Sequence, residues 1–210
     1  MDLVVDRYVL GPFQENCYVV RAERGAPEAA VVDPGDSASQ LRLELAGSGA
    51  RVGAILVTHA DVDHIGAVAD LAEGTGAEVW APSGEADVLR TGITRGGGHI
   101  RPYEPEHLVS GGDTVTVAGI EFEVVDVPGH SAGHVAYHAG GALFSGDLLF
   151  AGSVGRVDLA GGDWDTLLDS VRALADRFPA ETVIYPGHGP HTTLGAELAR
   201  NPFLAELRVS

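Results

Sequence analysis

Hydrophobic positions along the chain come in short runs separated by Gly, Pro and Asp, and their period changes from run to run. "LVVDRYVL", "NCYVVRAE" and "AAVVDPG" are brief, rich in β-branched residues and closed by the Pro34-Gly35 turn, which predicts three strands. "SQLRLELA" carries leucines at 41 and 45 and predicts a helix capped by Ser37. "VGAILVT" is apolar without alternation, the pattern of a strand covered on both faces. "IGAVADLAEGTG", beginning at Ile65, has helical spacing and a glycine stop, and "AEVWAP" predicts a further strand. The segment "LRTGITRGGGHIRPYEPEH" is Gly- and Pro-rich and reads as a flexible loop.

In the second half, "DTVTVAGIEFEVVDVPG" predicts a hairpin turning at Ala118-Gly119, and "HVAYHAGGALFSGD" another turning at Ala139-Gly140-Gly141. "WDTLLDSVRALADRF" is an amphipathic helix with leucines at 167, 168 and 174 and Pro179 beyond its end. "ETVIYPGHG" is a last buried strand and "LGAELAR" a short closing helix. Frequent strands, interspersed helices and late hairpins fit two mixed sheets with helices outside better than one parallel sheet.

The 210 residues suffice for one domain with a substantial core. No apolar run reaches the ~18 residues of a membrane span, and the N-terminus lacks a basic segment followed by an apolar one, so neither membrane insertion nor secretion is expected. The lone Cys17 excludes an internal disulfide framework and fits the cytoplasm; it reads as a small buried apolar residue in its strand. The net charge of −17, with every basic residue an arginine, argues against nucleic-acid partners, which require clustered cations. A monomer or homodimer acting on a small molecule is expected.

The candidate chemistry lies where apolar runs stop. "AILVTH" ends at His59, "FEVVDVPGH" at His130, "ALFSGD" at Asp147 and "TVIYPGH" at His188. Ligands gather beyond the carboxyl ends of strands in α/β architectures, so four such ends carrying His or Asp predict one shared site. In "THADVDHIG", His59 and Asp61 lie two apart in an extended turn and can point the same way. Asp63 and His64 point to a neighbouring position before Ile65 starts the helix. That arrangement supplies donors for two adjacent metal ions, with imidazole suiting Zn or Fe and carboxylate suited to bridging. His134, four residues after His130, reads as a hydrogen-bonding support for a ligand. His191, three residues after His188, is the alternative donor there. His99, His107 and His138 read as ordinary surface or hydrogen-bonded histidines.

These motifs, with "NCYVV", "VVDPG", "PGHSAGH", "SGDLLFAGSVGRVDL", "YPGHG" and "TLGAELARNPFL", resemble the metallo-β-lactamase superfamily over nearly the whole chain. The chain looks most like the short relatives of glyoxalase II, the hydroxyacylglutathione hydrolases. The resemblance implies an αββα sandwich over a single domain, 1–210, without a C-terminal glutathione-binding helical domain. It implies a first metal held by His59, the residue at 61 and His130, a second held by Asp63, His64 and His188, and Asp147 bridging the two. Asp63 is also taken as catalytic. Two divalent ions are expected, zinc first. The family pattern HxHxDH has His where this chain has Asp61; a carboxylate there either weakens the first site or shifts its preference toward Fe or Mn. Arg156, in "GSVGR", is a candidate for binding a substrate carboxylate, with a structural salt bridge as the alternative.

The implied activity is hydrolysis of a thioester of a small 2-hydroxy acid, such as an S-lactoyl thiol, by a metal-bound hydroxide. A lysine contact to the thiol cofactor is impossible in a chain without lysine, which leaves the carrier open between glutathione, another low-molecular-weight thiol and none. Within enzymes, the alternatives are a mononuclear iron oxygenase acting on persulfides through His59, His130 and Asp147, and a lactonase. A non-catalytic metal-binding module is the alternative outside them.

Overall fold

Two six-stranded mixed sheets face each other across an apolar interior. The computed structural model describes residues 3–208; positions 1–2 and 209–210, the ends of the single domain expected over 1–210, lie outside the described residues. The first sheet runs in chain order: β1 (Val4–Leu10), β2 (Glu15–Arg21), β3 (Glu28–Val32), β4 (Arg51–Leu56), β5 (Glu78–Pro82) and β6 (His107–Val109). Its pairings are antiparallel up to β3 and parallel from there on. Parallel neighbours need a crossover. It is supplied by α1 (Ala38–Ser48) between β3 and β4, by α2 (Val62–Ile65) and α3 (Val68–Thr75) between β4 and β5, and by α4 (Ala86–Thr91) between β5 and β6.

The second sheet contains β7 (Thr114–Val117), β8 (Ile120–Asp126), β9 (Val135–Ala139) and β10 (Ala142–Gly146), joined as the two expected hairpins plus the β8–β9 antiparallel pair. A small hairpin of β11 (Leu149–Phe150) and β12 (Ser153–Val154) follows. Then α5 (Trp164–Arg177) crosses over to β13 (Val183–Pro186), which pairs parallel with β10 and antiparallel with the edge strand β14 (Thr192–Thr193) before α6 (Leu194–Arg200). This is the αββα sandwich that the resemblance implies. Among the described residues no helix is long and apolar enough to cross a membrane.

The uninterrupted apolar run of β4 is explained by its two faces. Ala54 and Leu56 pack between the sheets with Tyr18, Phe122, Tyr137 and Phe144, while Ile55 and Val57 pack under the helices with Leu41, Leu45 and Leu71. Fully burying side chains of this size contributes roughly 1.5–3 kcal/mol each. On the far side, Leu167, Leu168, Val171 and Leu174 of α5 pack on Leu143 and Ile184, and Asp163 caps that helix by accepting from the Thr166 backbone N–H.

Four local expectations need correction. Ser37 precedes α1 but does not cap it: its φ of 57° is left-handed, and its hydroxyl donates instead to Asp36, because capping requires an extended backbone there. The helix expected from Ile65 is two helices, broken at Gly66-Ala67. There the Pro34-Gly35 turn presses so close that a Cβ on Gly66 would stand 2.3 Å from the Gly35 oxygen, and the Ala67 N–H bonds Pro34 rather than the turn before it. The helix also starts earlier than expected, so Asp63 and His64 sit within α2 with Asp61 at its N-cap. Finally, the presumed loop from Leu89 begins inside α4.

Candidate metal centre

The strands deliver their polar ends to one edge of the sandwich. Thr58 and His59 follow β4, His130 follows β8, Asp147 follows β10 and His188 follows β13. Six residues read from the sequence converge there. The His59 ring centroid lies 4.2 Å from that of His64 and 4.8 Å from that of His130, and His64 lies 5.7 Å from His188. Asp147 stands between them: Oδ1 is 3.2 Å from His64 Nε2, and Oδ2 is 3.6 Å from His188 Nε2 and 3.8 Å from His130 Nε2. Asp63 Oδ2 is 3.3 Å from His188 Nε2. The donor atoms fall into two groups that could hold a metal ion, His59/Asp61/His130 and Asp63/His64/His188, with the carboxylate of Asp147 facing both.

The imidazoles are aimed by a buried network that sequence reading missed. Asp33, just after β3, accepts from the Thr58 N–H at 2.7 Å, from the Thr58 hydroxyl at 2.6 Å and from His64 Nδ1 at 3.0 Å. With its proton committed to Asp33, the Thr58 oxygen accepts from His59 Nδ1 at 3.0 Å. His64 therefore turns Nε2 toward Asp147, and His59 turns Nε2 toward Asp61. A third group, Asp33/His59/His64, also satisfies metal-ligand distances, but these hydrogen bonds account for its closeness. Across the edge, Asn16 donates to Pro186 and Gly189, and the Tyr18 hydroxyl donates to Pro186, pinning the turn that carries His188. Glu85 accepts from the Ser131 hydroxyl and the Gly133 N–H, fixing the "PGHSAGH" turn. The signal for Asp33 and Asn16 was available as polar residues inside otherwise buried runs, where an unpaired group would be costly.

The second group fits a cation. His64 Nε2 and Asp147 Oδ1 are buried with no hydrogen-bond partner among the described residues, as is His59 Nε2 in the first group, and an uncompensated buried polar atom costs roughly 1–3 kcal/mol. The facing of His64 Nε2 and Asp147 Oδ1 needs a positive charge between them, a proton or a metal ion. Burial disfavours a charged His64, but Asp147 and Asp33 outweigh it and hold the imidazole well above its ordinary range. Burial also works to raise the Asp147 carboxyl, yet His64, His188 and His130 bring it down to about 2. His59 is pushed the other way, by burial and then by its neighbouring histidines, and stays neutral with a free lone pair.

A metal entering the second group must displace the His64 proton. Uptake at neutral pH is expected to release protons, and affinity is expected to weaken as pH falls, starting above the ordinary imidazole value of 6.5. Titration calorimetry in buffers of different ionisation heat measures this directly. Uptake with no proton release would show His64 to be neutral in the metal-free protein.

Gly187 leaves the cradle open. A Cβ there would stand 2.1 Å from Asp147 Oδ1 and 2.5 Å from His64 Cε1. Gly187→Ala is expected to cut metal affinity by more than about tenfold, on the order of a displaced supporting group, and metal titration against wild type checks it.

Asp61 lies in the centre as expected but is already engaged. Arg95, from the turn after α4, donates through Nε to Asp61 Oδ1 at 2.5 Å and through Nη2 to Oδ2 at 2.7 Å. The same Nη2 lies 2.5 Å from His130 Nε2, and Nη1 donates to the His130 carbonyl. Burial would raise the Asp61 carboxyl, but Arg95 and His130 outweigh it and hold it far below the usual carboxylate range. Arg95 went unnoticed because a lone arginine in a Gly-rich segment carries no periodic or motif signal.

Three other expectations resolve differently. The hydrogen bond expected of His134 is not formed: neither ring nitrogen has a partner among the described residues, and the ring packs 4.6 Å from that of His59. His191 is exposed and lies against Tyr185, outside the cluster. The Arg156 side chain pairs with Asp158 at the cleft wall, while its backbone carbonyl accepts from His130 Nδ1 at 2.7 Å. The remaining histidines behave as ordinary ones where contacts define them, His107 pairing with Glu78 and His138 lying on Phe178.

Known proteins share this fold. A family model described as the metallo-beta-lactamase superfamily matches residues 10–188. The chain is 32% identical over 200 residues to hydroxyacylglutathione hydrolase GloC of Haemophilus influenzae, covering 91% of this chain and 93% of that protein. Among solved structures, the B3 metallo-beta-lactamase BLEG-1 superposes with a TM-score of 0.87 at 35% identity, over 96% of this chain and 100% of that one. TTHA1623 in a di-iron-bound form superposes with a TM-score of 0.84 at 41% identity, over 95% and 100%. With its strand ends gathered into this His/Asp cluster and most of its length matching the family model, the chain belongs to the metallo-beta-lactamase superfamily.

Proposed function

We propose that this protein is a metal-dependent hydrolase of small acyl thioesters, with an S-2-hydroxyacyl thiol such as an S-lactoyl thiol as the leading substrate class. The observation that carries the reading is the buried facing pair His64 Nε2 and Asp147 Oδ1, 3.2 Å apart and without other hydrogen-bond partners among the described residues, beside Asp63 and His188 at the floor of a cleft of about 610 Å³. Asp63, His64, Asp147 and His188 would hold a divalent ion there. When bound, such an ion supplies Lewis acidity and brings a coordinated water toward a pKa of ~7.

The chain's own residues do the rest. Asp63 has its carboxylate in the cleft and would receive the proton of the attacking water at a carboxylate oxygen. As the water oxygen bonds to the carbonyl carbon and the C–S bond breaks, that proton is returned to the departing sulfur. Phe13, Phe150, Val154 and Leu159 line the cleft and would exclude bulk water from the acyl group and take the apolar part of the thiol. Arg156, on the same wall, would exchange Asp158 for a substrate carboxylate. The hydroxyacylglutathione hydrolase name of the Haemophilus relative supports the thioester class. The persulfide oxygenase alternative requires His130 Nε2 as a ligand, and that atom is engaged by Arg95.

The test is thiol release from S-lactoylglutathione by the metal-loaded protein, before and after chelation, with oxygen uptake followed in parallel. Chelator-sensitive thiol release without oxygen uptake is the expected result. Oxygen consumption with a persulfide and no thioester cleavage would sink the hydrolase reading.

A further inference from the structure

We propose that the Arg95 guanidinium takes the place of a metal ion in the first ligand group, so that this protein holds a single ion, in the second group. The inference rests on the metal-dependent reading above. Nη2 of Arg95 lies between Asp61 Oδ2, at 2.7 Å, and His130 Nε2, at 2.5 Å. Those two atoms are themselves 3.2 Å apart and both are acceptors, since His130 spends its Nδ1 proton on the Arg156 carbonyl. Two acceptors so close are held together by the positive group between them. A metal ion would need the same two lone pairs, so ion and guanidinium exclude each other.

Asp61 makes sense in this role. A carboxylate matches the fork of a guanidinium through two parallel bonds, here from Nε and Nη2, whereas imidazole at that position could not. The contact is also built rather than casual. Arg95 sits in a turn closed by Thr94 N–H and hydroxyl bonds to the Gly98 carbonyl and by the Ile93–His99 bridge. Gly98 abuts Val62, where a Cβ would come within 3.2 Å of that side chain. The Arg95 side chain is only 10% exposed. Among the described residues no arginine enters the second group; Asp63 and Asp147 face imidazoles there, which can give up a proton to a metal ion as a guanidinium cannot.

The experiment loads the full chain with excess Mn²⁺, removes free ion, and counts bound manganese by mass spectrometry and by its paramagnetic resonance spectrum. Wild type is expected to carry one ion per chain with the spectrum of an isolated Mn²⁺. Asp61→His/Arg95→Ala is expected to carry two, with the spectrum of a coupled pair. Arg95→Gln keeps the side-chain length without the cation and serves if the double variant does not fold; it too is expected to gain an ion. Two ions in wild type would overturn the inference and leave the hydrolase reading standing. One ion in wild type and still one in the folded variants would overturn the part assigned to Arg95. A wild type that binds none would defeat the metal-dependent reading itself.

Discussion

Asp147→Ala is expected to lower metal affinity by more than about 100-fold and to abolish hydrolysis, a loss beyond the ~10–100-fold typical of groups that stand behind ligands. Its carboxylate faces His64, His130 and His188 together. It is ionised throughout the neutral range, its carboxyl held at about 2. Removing it leaves the buried His64 Nε2 without its counter-charge. Asp147→Asn separates shape from charge: it retains the volume and is expected to lose nearly as much affinity, since the anion is what a divalent ion requires. His134→Ala is the control. It removes a ring that packs on His59 and has no hydrogen-bond partner among the described residues, and it is expected to reduce stability more than metal content. Equal metal content in Asp147→Ala and wild type, measured by equilibrium titration, would rule out its place between the two groups.

The parts of this centre that could be read in the sequence share a physical reason. His59, His130, Asp147 and His188 each follow an apolar run long enough to be a strand, so strand termination alone brings them to one edge. The two sheets were legible because β4 lacks alternation and the late hairpins carry glycine turns. What could not be read depended on contacts between distant segments. Arg95 reaches Asp61 across 34 positions from an irregular turn, and no local pattern encodes that. The break between α2 and α3 is caused by the Pro34-Gly35 turn, which belongs to another part of the first sheet's edge. Six residues of α4 are too few for a period to show. Asp61 was the informative residue in the sequence: as an exception to a pattern it pointed to the place where the geometry departs from two equivalent metal groups.

Asp33 is where a single substitution is expected to damage both the fold and the centre. Its side chain is almost wholly buried and satisfies three donors, the Thr58 N–H, the Thr58 hydroxyl and His64 Nδ1. Asp33→Ala leaves those donors without an acceptor and strips a charged His64 of one of its carboxylate partners. Breaking a buried pair in this way costs about 3–5 kcal/mol, a large fraction of the ~5–15 kcal/mol that holds a domain together. The same change frees the Thr58 hydroxyl to turn, so His59 and His64 lose their aim at the metal. A metal-affinity loss of about 10–100-fold is expected on top of the stability loss. Asp33→Asn distinguishes these effects. The backbone at 33 has φ of 50°, a left-handed geometry that Asn accepts readily, so the turn is preserved. One amide oxygen can still accept from Thr58, but the amide nitrogen would face a donor. Asp33→Asn is therefore expected to recover part of the stability and little of the metal affinity. Urea unfolding of the metal-free protein reads the first quantity and metal titration the second. If Asp33→Ala unfolds like wild type, the Asp33–Thr58–His64 network does not support the fold in the way its geometry implies.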